Sequence, residues 1–164
     1  MTAVVHNLLR LGCLLATFGI LTSCSSVCKG PGGEVTKVKI YMLSTKQRFQ
    51  PRVDRSIRFE QDRLLYGAIT QAQRTERSGQ YYTIFWKAND RTQPVTVRFE
   101  YRTQATGLKV HTKEEQVSEV KSNNTTYYQV TGSEFLDKGA VTAWRVTLLQ
   151  GKEELAHADS FLWK

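Results

Sequence analysis

The chain has 164 residues, 40% hydrophobic and 23% charged, with only 3 prolines. That accommodates one domain and excludes collagen-like, coiled-coil and low-complexity chains. Lys and Arg outnumber Asp and Glu by 23 to 15, a formal charge of +8, so anionic partners are admissible. The 3 cysteines are too few for a disulfide-built scaffold, and 7 Tyr, 7 Phe and 3 Trp among many Val and Thr favour strands.

Residues 1–23 carry one charged side chain, Arg10, and no acid. An apolar run from Leu11 to Leu21 follows. It falls short of the roughly 20 residues that cross a bilayer core and matches the hydrophobic part of a secretory signal. It ends in Leu21-Thr22-Ser23-Cys24, an aliphatic residue, two small residues and a cysteine. This resembles the lipobox of bacterial lipoproteins. The resemblance implies that Cys24 is acylated through sulfur, that cleavage falls before it, and that the protein is anchored to a membrane by lipid. Each buried CH₂ contributes about 0.8 kcal/mol, and two chains hold firmly where one holds marginally. Ser25, where an Asp commonly signals inner-membrane retention, implies the outer membrane of a Gram-negative cell, facing the periplasm. In a cell with one membrane it implies that membrane's outer face. Val27 is too bulky for Cys28 to lie in a second such box. Cys28 is then the one free thiol left, a candidate for an intermolecular disulfide.

Three segments are expected: a signal peptide over 1–23, the lipidated Cys with a flexible tether over 24–33, and a single domain over 34–164. The tether reading rests on Gly30-Pro31-Gly32-Gly33 and the absence of periodicity. Beyond it the period is two. Val38, Ile40 and Met42 alternate with Lys37, Lys39 and Tyr41, and Val95, Val97, Phe99 and Tyr101 alternate with polar neighbours. So do Trp144, Val146 and Leu148. Each pattern predicts a strand with one buried face. Tyr81–Lys87 is apolar on both faces, and Leu64–Thr70, Thr125–Thr131 and Leu155–Trp163 complete the predicted set. The predicted core includes Ile84, Val97, Phe99, Trp144, Val146 and Leu148.

The fold class is all-β: an antiparallel β-sandwich of about seven strands with no long helical stripe. The order and spacing of Tyr81–Lys87, Val95–Arg102, Thr125–Thr131, Val141–Leu149 and Leu155–Trp163 resemble an immunoglobulin or fibronectin type III-like sandwich. A Cys…Trp…Cys core is missing, which excludes an antibody-type domain. Residues 44–63 do not read as a plain strand, although Ile57 and Phe59 suit a short edge strand. Residues 109–121 read as a polar edge strand or a loop.

Motifs of catalysis are absent: no HExxH, CxxC, G-x-S-x-G or Walker loop. His157 and Asp159 share one face of a strand and Ser160 takes the other, so the three cannot form a triad without a bulge. Glu114-Glu115 and Glu153-Glu154 diverge as neighbours on strands. No cofactor is implied. Trp163 reads as an exposed contact residue near the carboxyl terminus. Arg48, Arg52, Arg55 and Arg58 are the candidate contacts to an anionic partner. The expected function is a lipid-anchored, non-catalytic binding or structural module of the bacterial envelope. Its partner is an envelope protein, a wall polymer or anionic lipid headgroups, and not nucleic acid. The alternative is an envelope hydrolase acting on peptidoglycan or a glycan.

Overall fold

Period-two alternation becomes antiparallel sheet in a computed structural model that describes residues 28–44 and 54–164. The elements run β1 (Cys28–Lys29), β2 (Gly33–Leu43), α1 (Arg55–Leu65), α2 (Gln71–Glu76), β3 (Gly79–Ala88), β4 (Val95–Thr103), β5 (His111–Val117), β6 (Asn124–Thr131), α3 (Gly132–Lys138), β7 (Val141–Gln150) and β8 (Glu153–Asp159), closed by a 3-10 turn at Phe161–Trp163. One sheet has the order β1-β2-β3-β6 and the other β5-β4-β7-β8, every neighbouring pair antiparallel. Set face to face they form the expected all-β sandwich.

Val95, Val97, Phe99, Tyr101 and Thr103 of β4 all point inward and are buried. Register places Val97 beside Leu148 and Phe99 beside Val146. Tyr82, Ile84 and Trp86 of β3 face them from the first sheet. Phe99 anchors an aromatic stack, its centroid 4.6 Å from Tyr82, 5.3 Å from Tyr101 and 5.2 Å from Tyr128. Such pairs contribute about 0.5–1.5 kcal/mol each beyond area burial. Two buried polar tips find partners, as buried groups require. The Trp86 indole donates to Thr126 Oγ1 at 3.1 Å, and the Tyr128 hydroxyl donates to the Val97 carbonyl. The predicted core residues are buried, except that Trp144 is half-buried at the rim and packs against the cluster.

Several sequence expectations need correction. Residues 28–33 are no flexible tether: β1 pairs Cys28 with Val35 and Lys29 with Glu34, and the Gly32 amide donates to the Leu155 carbonyl at 3.1 Å. Glycine serves close approach there, since a Cβ on Gly30 would lie 2.2 Å from the Leu155 carbonyl oxygen. Residues 24–27 lie outside the described residues. Leu64–Thr70 is not a strand but the end of α1 and the link to α2. Ile57 and Phe59 belong to α1 and not to an edge strand. Residues 132–138 form α3, a helix the period-two reading did not foresee. The last strand stops at Asp159, and the following turn folds Trp163 inward to 8% exposure. Its ring lies 4.7 Å from the Arg102 guanidinium and 5.6 Å from that of Arg145. Trp163 is therefore packed, and it is Phe161 and Leu162 that are exposed. Residues 111–117 form β5, the polar edge strand expected of 109–121.

The connections sort to two poles. The 30–32 turn and the 89–94, 118–123 and 151–152 connections lie at the pole where the described chain enters. The end of β2, the 66–78, 104–110 and 132–140 connections and the 160–164 end lie at the other, which we term the far pole, and α1 lies over the outer face of the first sheet. Strands of about ten residues hold the poles about 33 Å apart.

Candidate functional site

Burying Tyr82, Ile84 and Trp86 sends Tyr81, Thr83 and Phe85 to the outer face of the first sheet. Register sets Tyr41 of β2 beside Tyr81, and sets Lys39 of β2 and Tyr127 of β6 on either side of Thr83. This explains why Tyr81–Lys87 is apolar on both faces: one face fills the sandwich and the other floors a cleft. Helix α1 forms its roof. Asp54 caps α1, accepting from the Ser56 amide at 2.7 Å, and the Arg77 guanidinium holds its other end by donating to the Leu64 carbonyl at 3.0 Å and to that of Tyr66. The Tyr81 hydroxyl in turn donates to the Arg77 carbonyl at 2.6 Å.

Although anchored at its end, α1 buries none of its residues. It stands off the sheet and leaves a cleft of about 980 Å³. Tyr41, Tyr81, Phe85 and Tyr127 lie below, Ile57, Phe59 and Leu64 above, and Lys39, Arg55, Arg63 and Glu60 at the margins. The Lys39 ammonium lies 5.2 Å from the Phe85 ring centroid, and Arg63 pairs with Glu60 at 2.7 Å. Burial raises the pKa of both Tyr41 and Tyr81; each phenol keeps its proton, which Tyr81 gives to the Arg77 carbonyl and Tyr41 to the Ile57 carbonyl at 3.4 Å. The cleft offers aromatic faces and a cationic margin. That chemistry holds an apolar or aromatic group bearing negative charge nearby.

Of the arginines expected to meet an anionic partner, Arg55 lines the cleft and Arg58 is half-buried on α1. Arg48 and Arg52 lie outside the described residues, as does Cys24. Cys28 is a free, half-buried thiol packed against the core. A second hollow, about 500 Å³ at the entry pole, is lined in part by Lys29, Lys87, Arg91 and Glu34, with Lys87 paired to Glu34 at 3.0 Å.

The titratable clusters are engaged in structure. Glu134 accepts from Lys113 at 2.8 Å, from Lys138 at 3.2 Å and from the Tyr101 hydroxyl. Burial raises its pKa, but those donors outweigh burial and bring it down to about 2. A carboxylate so acidic is a poor proton acceptor at neutral pH; it is a strut tying α3 to β4 and β5. His157 bonds Glu154 at 2.6 Å, Asp159 takes two bonds from Arg145 at 2.8 Å, and Ser160 Oγ accepts from the Trp144 amide at 2.9 Å. The three candidate triad residues thus face three different partners. Among the described residues no group of three or more His, Cys, Asp and Glu could hold a metal ion, and no helix is long and apolar enough to cross a membrane.

The cleft was missed in the sequence because its roof was. One signal was available: Thr70 and Gln73 form a capping box, the Thr70 side chain accepting from the Gln73 amide at 3.2 Å and Gln73 Oε1 accepting from the Thr70 amide at 3.0 Å. That spacing marks a helix start. No family model, curated protein or solved structure matches the chain.

Proposed function

We propose that the protein is a lipid-anchored, non-catalytic binding module of the bacterial envelope, held through Cys24 and recruiting a protein partner at the far pole. In a Gram-negative cell it sits on the outer membrane and faces the periplasm. The observation that carries this reading is the polarity of the surface. Among the described residues, the exposed large apolar side chains lie either at the far pole, on its connections, the end of β2 and the carboxyl-terminal turn, or at the aromatic cleft, which Ile57 and Phe59 of α1 line together with Ile40 and Tyr127 of the strands. Tyr66, Ile69, Leu108 and Phe161 are all above 80% exposed, while the entry-pole connections contribute none. Side chains of this size each gain about 1.5–3 kcal/mol when fully buried, and a concentration of them marks an interaction surface.

The anchor decides what kind of surface. Cys24 precedes Cys28 by four residues, a reach of about 14 Å. Cys28 stands opposite Val35, about eight residues short of the far end of β2, so a four-residue reach falls short of the far pole, which supports a protein partner there over the anchoring membrane.

Two experiments test this. Cys24→Ala should abolish incorporation of labelled palmitate and release the protein from membranes; a variant that stays labelled and bound removes the anchor from the account. A photo-crosslinker in the membrane-bound full chain should capture one defined partner from Phe59 or Phe161, and not from Arg91 or Lys152. Equal capture from both poles would overturn the polarity argument.

A further inference from the structure

A sandwich of two open sheets has strand edges that must be covered or guarded. Three of them are. Lys113, Glu114 and Glu115 charge β5. Lys113 also reaches β6, donating to the Gln129 carbonyl at 2.6 Å. The 30–32 turn lies along β8 and bonds Leu155. The edge of β2 differs. Strand β1 covers only Glu34 and Val35. Past the irregularity between Val35 and Lys37, β2 runs to Leu43 with β3 on one side and no strand on the other among the described residues. On the unpaired side, alternate residues direct both N–H and C=O outward.

Two features say what this edge takes. Val38 and Ile40 sit opposite Ile84 and Tyr82, so Val38, Ile40 and Met42 belong to the interior face. Yet Ile40 is 47% and Met42 49% exposed, because the core stays open at this corner. The opposite face of the same strand carries Lys37 and Lys39, both exposed. A second copy pairing β2 to β2 would crowd four lysines onto one face, which like-charge repulsion opposes.

We propose that an extended segment of a partner protein, alternating apolar with acidic residues, adds as a strand beside β2 over Val38–Leu43. Its apolar side chains extend the Val38, Ile40 and Met42 row over the open corner. Its acids lie on the outer face against Lys37 and Lys39, Lys39 being also on the margin of the aromatic cleft. Main-chain bonds supply affinity and the alternation supplies specificity. This rests on the binding-module reading and names the partner's chemistry.

The test is amide hydrogen exchange, read by mass spectrometry, on the full-length protein in detergent. The probes are two end-capped octapeptides, one alternating Glu with Val and one alternating Lys with Val. In the free protein, amides of 38–43 should exchange faster than those of β3. The Glu peptide should slow them at least ten-fold, leaving 124–131 and 111–117 unchanged, and the Lys peptide should not. Lys37→Glu with Lys39→Glu should reverse that preference. Amides of 38–43 already as slow as β3 in the free protein would mean that the chain covers its own edge, and the inference falls. No slowing, slowing centred on another strand, or equal response to both peptides overturns it as well. Photo-capture from Phe59 that persists after such a failure leaves the recruiting module standing and removes only strand addition.

Discussion

Replacing Glu134 by Gln isolates one charge in a junction the fold depends on. Glu134 joins α3 to β5 through Lys113 and to β4 through the Tyr101 hydroxyl, with Lys138 closing the cluster from its own helix. Glutamine keeps an oxygen for Tyr101 and loses the charge. In the folded protein the carboxylate holds its charge down to about pH 2, against an ordinary value of 4.5. A folded pKa below the unfolded one means that the stabilisation is complete above about pH 4.5 and is lost as pH falls towards 2. The difference between those two values corresponds to about 3 kcal/mol. The side chain is 26% exposed, and screening by that contact with water reduces the figure to about 2 kcal/mol. Glu134→Gln should therefore lower Tm by about 6 °C at pH 7. Thermal unfolding of both proteins, followed by circular dichroism from pH 7 to pH 2, gives the comparison. The gap should stay level to about pH 4.5 and close towards pH 2. Burial lowers the pKa of His111, stacked on Tyr101 at 5.3 Å, and the Glu134 charge acts to raise it, so the test is read from the closure of the gap below about pH 4.5. A gap that persists unchanged at pH 2 would mean that the substitution acts through packing, and the electrostatic reasoning would be wrong.

Three further substitutions probe other junctions. Gly30→Ala puts a methyl group against the Leu155 carbonyl, at 2.2 Å without movement, and should cost about 1–3 kcal/mol; an unchanged urea midpoint would show that β1 yields freely. Thr126→Val removes the acceptor of the buried Trp86 indole and should cost about 1–3 kcal/mol; unaltered stability would mean the N–H has found another partner. Because β1 holds Cys28 half-buried, a Cys28–Cys28 bridge between copies requires that strand to peel away. Non-reducing gels should therefore show little dimer for the parent protein and more for Gly30→Ala, and a strong dimer band in the parent would contradict the packing of Cys28.

Strand positions were legible wherever one face meets the core and the other meets water. In β4, five inward residues alternate with Thr96, Arg98, Glu100 and Arg102, and the buried face followed from the pattern. The reading failed where a residue's surroundings come from distant chain. Leu64 and Leu65 look strand-like in isolation, but Arg77, more than ten residues on, supplies the donors that end α1 there. The Gly-Pro-Gly-Gly run looked like a hinge, because composition cannot distinguish glycine used for freedom from glycine used to admit a neighbouring backbone. Trp163 looked exposed because its two flanking guanidiniums, Arg102 and Arg145, come from β4 and β7.

The aromatic cleft escaped sequence reading for a related reason. Tyr41, Tyr81, Phe85 and Tyr127 come from three strands of different loop neighbourhoods, and only the sheet register makes them neighbours. Alternation assigns each strand one buried face. A strand apolar on both, such as β3, signals that something else must lie against the second face. In this fold α1 takes that position without closing on it, leaving Phe59 66% and Tyr127 66% exposed. A helix that capped the sheet for stability alone would bury its apolar side chains, since each left in water forfeits about 1.5–3 kcal/mol. Arg77 at the end of α1 and the Tyr41 hydroxyl on the Ile57 carbonyl tie the helix to the sheet while its apolar side chains stay in water and the aromatic floor stays open, an arrangement that accords with the proposed recruiting surface.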